Sequence, residues 1–424
     1  MCLKRYLLIL LISIVYCGAD AQISISPYTV HGIGDVHSSG LTNNIAMGGI
    51  GVSNGQNWYL NLINPALLVK NNFTVFEAGI VFEQRELTNN SDLSQKNSGG
   101  GLNYIALGFP VMAGRWSSSI GLMPYSTVNY NILENSSVVG NPDVPVAYNY
   151  VGDGGLTRAF YSNGVRIGKN FAVGVTASYL FGSIMKESNS AIGNSTTPVN
   201  YSSSIIERTS VSDFMFTTGA IYAQPISEKT AINFGVTYQL AADLSAKNFR
   251  RGELRAPTII DPIVADTIVN NVDGTLGLPS SLAFGLSLEK TFKWTFGIDL
   301  HLNKWSEFKN FDGSSDGLKD NYVLNIGGEI TPDITSVDSY FKRVTYRAGV
   351  NIERAPFEVN ENQINDFGIN FGASFPVKGI STMNWTFKFG QRGTTNDNLI
   401  KENYFRVYFG LTFNDRWFIR RKFD

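Results

Sequence analysis

Cysteine is almost missing from this chain of 424 residues: there are 2, Cys2 and Cys17, and both fall near the start. Around them lie a basic start (Lys4, Arg5), an apolar run from Tyr6 to Tyr16 and a small-residue end, Ala19-Asp20-Ala21. This is the pattern of a cleavable export signal over residues 1–21, with Gln22 as the expected new N-terminus. Tyr16 ahead of Cys17 does not suit lipid acylation, which wants a small residue there. The apolar run, about eleven residues, is too short for a spanning helix, which needs roughly twenty. A mature chain without thiols excludes a disulfide scaffold, thiolate catalysis and a cysteine metal site.

Charge is scarce as well. Charged residues make up 16% of the chain, where roughly a quarter is usual for a soluble domain. With a net charge of −1, nothing suggests an electrostatic partner such as nucleic acid, and none is expected. No apolar run after residue 22 is long enough to cross a membrane as a helix. Glycine (42) and aromatics (12%) are abundant instead. Low charge without a spanning helix points to an all-β, transmembrane, antiparallel up-and-down barrel.

The alternation of side chains carries that reading. From Lys293 to Asn303, Trp294, Phe296, Ile298, Leu300 and Leu302 share one face, and Thr295, Gly297, Asp299 and His301 share the other. On a helix, successive members of the apolar set would stand about 200° apart, so only a strand collects them. The same period recurs in Ile232 to Leu240, Val344 to Ile352 and Phe405 to Phe413. Segments of this length exceed the five or six residues typical of soluble strands and suit tilted spanning strands of about nine to eleven.

About fourteen strands are expected over residues 73–413, an even number that closes with both ends on one side. They are 73–87, 101–112, 116–132, 156–167, 170–186, 205–224, 230–248, 279–290, 293–306, 320–331, 340–354, 363–376, 382–391 and 402–413. Tight turns at 113–115, 168–169, 225–229 and 290–292 alternate with long polar stretches at 88–100, 133–155, 187–204, 249–278 and 307–319. The longest, 249–278, is the expected outer lid or binding loop. Residues 22–72 do not alternate, yet Ile45, Met47, Ile50, Trp58, Leu60 and Leu67 make them too apolar for a free tail. They are expected to form a plug. Residues 414–424 read as a basic C-terminal tail.

Several short motifs resemble the FadL-like long-chain fatty acid transport proteins: the glycine-rich run (Gly48, Gly49) leading to Asn64-Pro65-Ala66, then Pro124-Tyr125-Ser126, and Leu278-Pro279-Ser280 leading to Lys304-Trp305-Ser306. The resemblance implies a fourteen-stranded outer-membrane barrel with an N-terminal hatch that passes hydrophobic molecules through a gap in its wall. It assigns Gly48, Gly49, Asn64, Pro65 and Ala66 to the junction of hatch and barrel. It also gives meaning to Pro124, which removes a ladder donor from a lipid-facing strand. Pro124, Tyr125 and Ser126 become a candidate lateral opening.

Catalytic signals are thin. The chain has 3 histidines. His31 and His37 flank irregular chain at a spacing that fits no metal site. Asp299 and His301 share an inner face, where a serine nucleophile would complete a hydrolase arrangement, but the period by itself demands that they share it, so an esterase is only a third reading. Glu289, Asp299, Arg347, Glu353, Lys388 and Arg406 should all point into the lumen, with both signs present, and are expected to seat the plug. No cofactor or metal is expected. The expected partners are outer-membrane lipid, a hydrophobic small molecule and, in a second reading, a protein partner. The first reading is thus a plugged barrel for passive uptake or binding of hydrophobic molecules. The second is an adaptor barrel holding partner proteins in a secretion or assembly machinery, which the basic tail would suit.

Overall fold

The computed structural model describes residues 25–192, 201–256, 262–378 and 380–415. The expected signal segment and the tail from Arg416 onward lie outside these residues.

The period-two segments form one closed antiparallel sheet. Its strands are β2 (Thr74–Thr88), β3 (Ser94–Met112), β4 (Trp116–Val138), β5 (Asn141–Ile167), β6 (Phe171–Ile192), β7 (Ser202–Pro225), β8 (Thr230–Gln239) and β9 (Ala242–Arg255). The circuit continues through β10 (Val264–Leu278), β11 (Ser281–Lys290), β12 (Trp294–Asn303), β13 (Asn321–Ile330), β14 (Thr345–Val359), β15 (Asn362–Lys378), β16 (Ser381–Arg392) and β17 (Lys401–Asp415). A two-residue strand, β1 (Asp35–Val36), belongs to the plug and pairs with β4. Two wall strands are interrupted. β8 and β9 are successive parts of one, and β10 and β11 of the next, since β8 pairs with β11 and β9 with β10. The wall is therefore fourteen-stranded, and β17 closes it on β2.

Strand length divides the wall into two sides. At about 3.3 Å per residue, a ten-residue strand such as β12 spans about 33 Å, close to the apolar thickness of a bilayer. β5, with 27 residues, spans about 89 Å. This corrects the expected loops. Much of 88–100, 133–155 and 187–204 continues the strands. The expected lid at 249–278 is mainly a β9–β10 hairpin that prolongs the wall. Polar composition marked these segments as loops, but their outer ends leave the apolar zone and need no apolar face. Residues 307–319 contain no strand. At the other end β17 runs past Phe413 to Asp415.

Outward side chains form an apolar belt. Ile80, Phe82, Phe214, Phe234, Phe296 and Phe371 are each at least 46% exposed. Inside the barrel sit residues 25–72, built from short pieces: Pro27–Val30, β1, the helix α1 (Thr42–Ala46) and Pro65–Lys70. Asn64 caps the last of these, its side chain accepting from the Ala66 N–H, while Pro65 occupies the first turn where its missing N–H does no harm. Leu41, Met47, Ile50, Leu60 and Leu67 are at most 1% exposed.

Two large apolar clusters, with two smaller ones around Leu67 and Ile63, hold this plug. Toward the long hairpins, Tyr28 and Ile33 pack with Val128, Leu180, Leu244, Leu276, Phe308 and Phe357. Toward the short turns, Leu41, Leu60 and Leu68 pack with Val75, Ala106 and Phe160.

Candidate functional site

Between the two cores the inner faces are polar, and charges tie plug to wall. Arg392 donates to the Asp35 carboxylate at 2.7 Å and to Asp366 at 3.0 Å. Ser26 donates to Glu402 at 2.6 Å. Glu402 also accepts from Arg85, which donates to Glu83 at 2.7 Å, and Arg406 joins Glu83 from the next strand. The Tyr404 ring lies under the Arg406 guanidinium, 4.7 Å from its centroid, and its hydroxyl donates to Asp366 at 2.6 Å. Burial pushes the Asp35 carboxyl upward, but Arg392 and Arg85 outweigh burial and hold it below its usual range. Burial, with Arg406 nearby, pushes His37 down to about 4, so its ring is neutral at neutral pH.

Of the six lumen charges expected from alternation to seat the plug, Asp299, Glu289 and Arg347 touch it, whereas Glu353, Lys388 and Arg406 have their partners on the wall. Asp299 accepts from the backbone N–H groups of Gly51 (2.6 Å) and Val52 (2.8 Å). Glu289 pairs with Lys70 at 3.0 Å. Arg347 pairs with Glu329 at 2.9 Å, and its guanidinium lies 5.5 Å from the Tyr59 ring centroid. Glu353 and Lys388 line the remaining cavity, where Glu353 accepts from Asn321 at 3.4 Å and Lys388 lies over Tyr404. Alternation did not single out Asp35, Glu83, Arg85, Asp366, Arg392 and Glu402. The signal was there for the wall residues: Glu83 and Arg85, like Glu402, Tyr404 and Arg406, are two apart and so share a face.

The glycine and Asn-Pro-Ala motifs sit at separate places on the plug. Gly48, at φ 75°, lies so near β14 that an added Cβ would come within 2.6 Å of the Val350 carbonyl oxygen. Gly49 faces Asn325. Asn64, Pro65 and Ala66 lie on a smooth track made by Gly164, Gly174 and Gly219. A Cβ at Gly219 would stand 2.2 Å from the Asn64 Oδ1, and one at Gly174 would stand 2.4 Å from the Pro65 carbonyl carbon. The Asn64 amide donates to Val52 at 2.7 Å and to Ala220 at 3.1 Å.

Pro124 sits where the wall changes. The β3–β4 ladder runs from Met112–Trp116 only as far as Ile105–Leu122. At Tyr125 a bulge against β5 shifts the register by one residue. Such a shift exchanges the two faces of a strand. Ile120 and Leu122 point outward before it, whereas Val128 and Tyr130 are buried after it. The lipid-facing pattern therefore does not continue through Pro124 to residue 132. The freed edge of β4 is taken by the plug. Asp35 and Val36 pair with Thr127 and Ser126, the His37 N–H donates to the Tyr125 carbonyl at 2.8 Å, and the Ser26 N–H donates to the Asn129 carbonyl at 2.9 Å.

The histidines have local roles. His31 stacks on Phe357 at 4.9 Å, and His37 Nε2 is 2.8 Å from the Thr127 hydroxyl. Asp299 is committed to the plug backbone rather than to His301, whose Nε2 has no hydrogen-bond partner among the described residues.

Compared with known proteins, residues 1–424 match the family model named BamG. The chain belongs to the BamG family. No curated protein matches it. Among solved structures, the CymD monoaromatic hydrocarbon channel is 14% identical with a TM-score of 0.56, over 91% of this chain and 99% of that one. A FadL homologue from Pseudomonas aeruginosa is 12% identical with a TM-score of 0.55, over 89% and 98%. The toluene transporter TodX of P. putida is 14% identical with a TM-score of 0.56, over 91% and 100%. At such identities the likeness is one of fold. This BamG-family chain thus shares the fourteen-stranded, FadL-like barrel of hydrocarbon channels, and its use of that barrel has to be argued from its own lumen.

Proposed function

We propose that this chain is an outer-membrane barrel that holds partner proteins in the membrane, with its lumen kept shut by the plug. The carrying observation is the character of the lumen. Between two packed apolar cores lies a cavity of about 350 Å³ lined by Asp35, His37, Glu353, Lys388, Arg392 and Arg406. An apolar molecule crossing it would have to part ion pairs and desolvate charges, which costs several kcal/mol per group. The tall wall from β4 to β7 and the β9–β10 hairpin add a broad surface beyond the membrane, suited to protein contact. The test is purification of the full chain from native membranes after mild cross-linking. Stoichiometric outer-membrane partners are expected; a barrel that emerges alone overturns the reading.

One observation favours a second reading, binding or uptake of a hydrophobic molecule through the wall. The β3–β4 ladder ends two residues before Pro124, as a lateral opening would require. In this reading Tyr125 and Ser126 flank the opening and Pro124 keeps it unzipped. Pro124→Val restores a donor and should reduce labelling by a photoreactive long-chain fatty acid. Unchanged labelling would sink the reading.

A further inference from the structure

The seam has a second edge, on β3, that has no ladder partner among the described residues. From Ser98 to Tyr104, β3 pairs with β2 on one side only, since its ladder to β4 stops at Ile105. Among the described residues, no backbone hydrogen bond reaches this edge from β4 or from β1. It lies within the apolar belt. Gly100 and Leu102 are the ladder partners of Phe82 and Ile80, which point outward at 51% and 55% exposure, and Leu102 itself is 41% exposed. Unpaired backbone N–H and C=O groups at that depth lack water, and each costs several kcal/mol. The Asn103 Nδ2 is also buried there without a hydrogen-bond partner.

We infer that this β3 edge receives an extended segment of a partner membrane protein as an added strand, which deepens the partner-holding reading and rests on it. Three features favour a strand over another occupant. The missing interactions are a row of backbone groups, which an extended chain satisfies and a hydrocarbon does not. Gly99, Gly100 and Gly101 present no side chain to keep a neighbouring backbone away. The opposite edge of the same seam is already satisfied in this way, by β1 against Ser126 and Thr127. The fitting segment is short, with apolar residues alternating toward lipid and small or polar ones toward Asn103 and the lumen.

The test places a benzophenone-bearing residue in turn at Ser98, Gly100 and Leu102 of the full chain in intact membranes, with Phe296 on another part of the wall as control. Heat-modifiable migration on a gel confirms that each variant folds. Adducts are expected on one contiguous partner segment, with the attachment point moving along it in step with the labelled position, and absent from Phe296. Amide exchange from Ser98 to Tyr104 in the unlabelled chain should slow by about tenfold or more in the complex relative to the barrel alone. Adducts to lipid only, or scattered over unrelated proteins, overturn the strand. Should partners co-purify while the β3 amides gain no protection, strand addition fails and partner holding stands. Absence of any co-purifying partner removes both.

Discussion

Two joints of the same wall, β17–β2 and β3–β4, are built on opposite plans. The first pairs without a break from Lys401–Thr88 to Asp415–Thr74, and ion pairs among Glu83, Arg85, Glu402 and Arg406 stitch its inner face. The second pairs only from Met112–Trp116 to Ile105–Leu122; beyond it the plug takes the β4 edge, and the β3 edge has no ladder partner among the described residues. The first joint joins the two ends of the wall and has to be closed for a barrel to exist. The second can remain partly open because, along the open stretch, β3 is held by its ladder to β2 and β4 by its ladder to β5. An opening in a barrel is tolerated where the neighbouring ladders already hold the strands.

Breaking the closed joint should have the largest effect. Arg85 is 1% exposed between Glu83 and Glu402, and Arg85→Met leaves the buried Glu402 without its ion-pair partner and Glu83 with Arg406 alone. A loss of about 3–5 kcal/mol is expected, read as loss of the heat-modifiable folded form on a gel. Next comes the plug's attachment to the continuous wall. Asp299→Ala strips the acceptor from the Gly51 and Val52 N–H groups and should destabilise the plug by about 1–3 kcal/mol. Faster amide exchange at those two residues, with the barrel intact, checks it.

Acid should act on the seam before the closed joint. His37 is pushed down to about 4 in the folded plug, while an unfolded chain takes up the proton near the usual 6.5. Stability of the plug against the seam should therefore fall as pH drops from about 6.5 to about 4. Asp35, held low, loses its contribution only lower down, as pH falls from the usual carboxylate range through its own depressed value. Protease sensitivity of residues 25–40 should rise over the histidine window, and His37→Gln should flatten that rise. The smallest effect belongs to a single long side-chain contact from β3 to the plug, at Asn97. The Asn97 amide donates to the Ile25 carbonyl at 3.3 Å, and Asn97→Ala should cost about 1 kcal/mol or less in thermal denaturation. A cost matching that of Arg85→Met would erase the contrast between the joints.

Much of this architecture was legible in the chain. Trp294 to Leu302 could not be anything but a strand with one lipid-facing side, and the charges at Glu289, Asp299 and Arg347 had to face inward once that side was fixed. Less legible were the hairpins beyond the membrane, because a strand in water needs no apolar alternation and Asn141 to Val151 reads like a loop. Asp35 could not be matched to Arg392 from order alone, since 356 other residues separate them and only barrel closure brings β16 beside the plug.

By itself, the sequence determined the wall: the period of two, the inward charges, the apolar residues of the plug and the proline in β4. Those are local properties, set by side-chain alternation and by a ring that lacks an N–H. The tertiary structure alone decided where the wall stays unzipped. Pro124 removes one donor, but its consequence depended on a bulge at Tyr125 that reversed the faces of β4, and on a plug whose backbone could take the freed edge. Register and closure are cooperative properties of all the strands together, and no single strand encodes them.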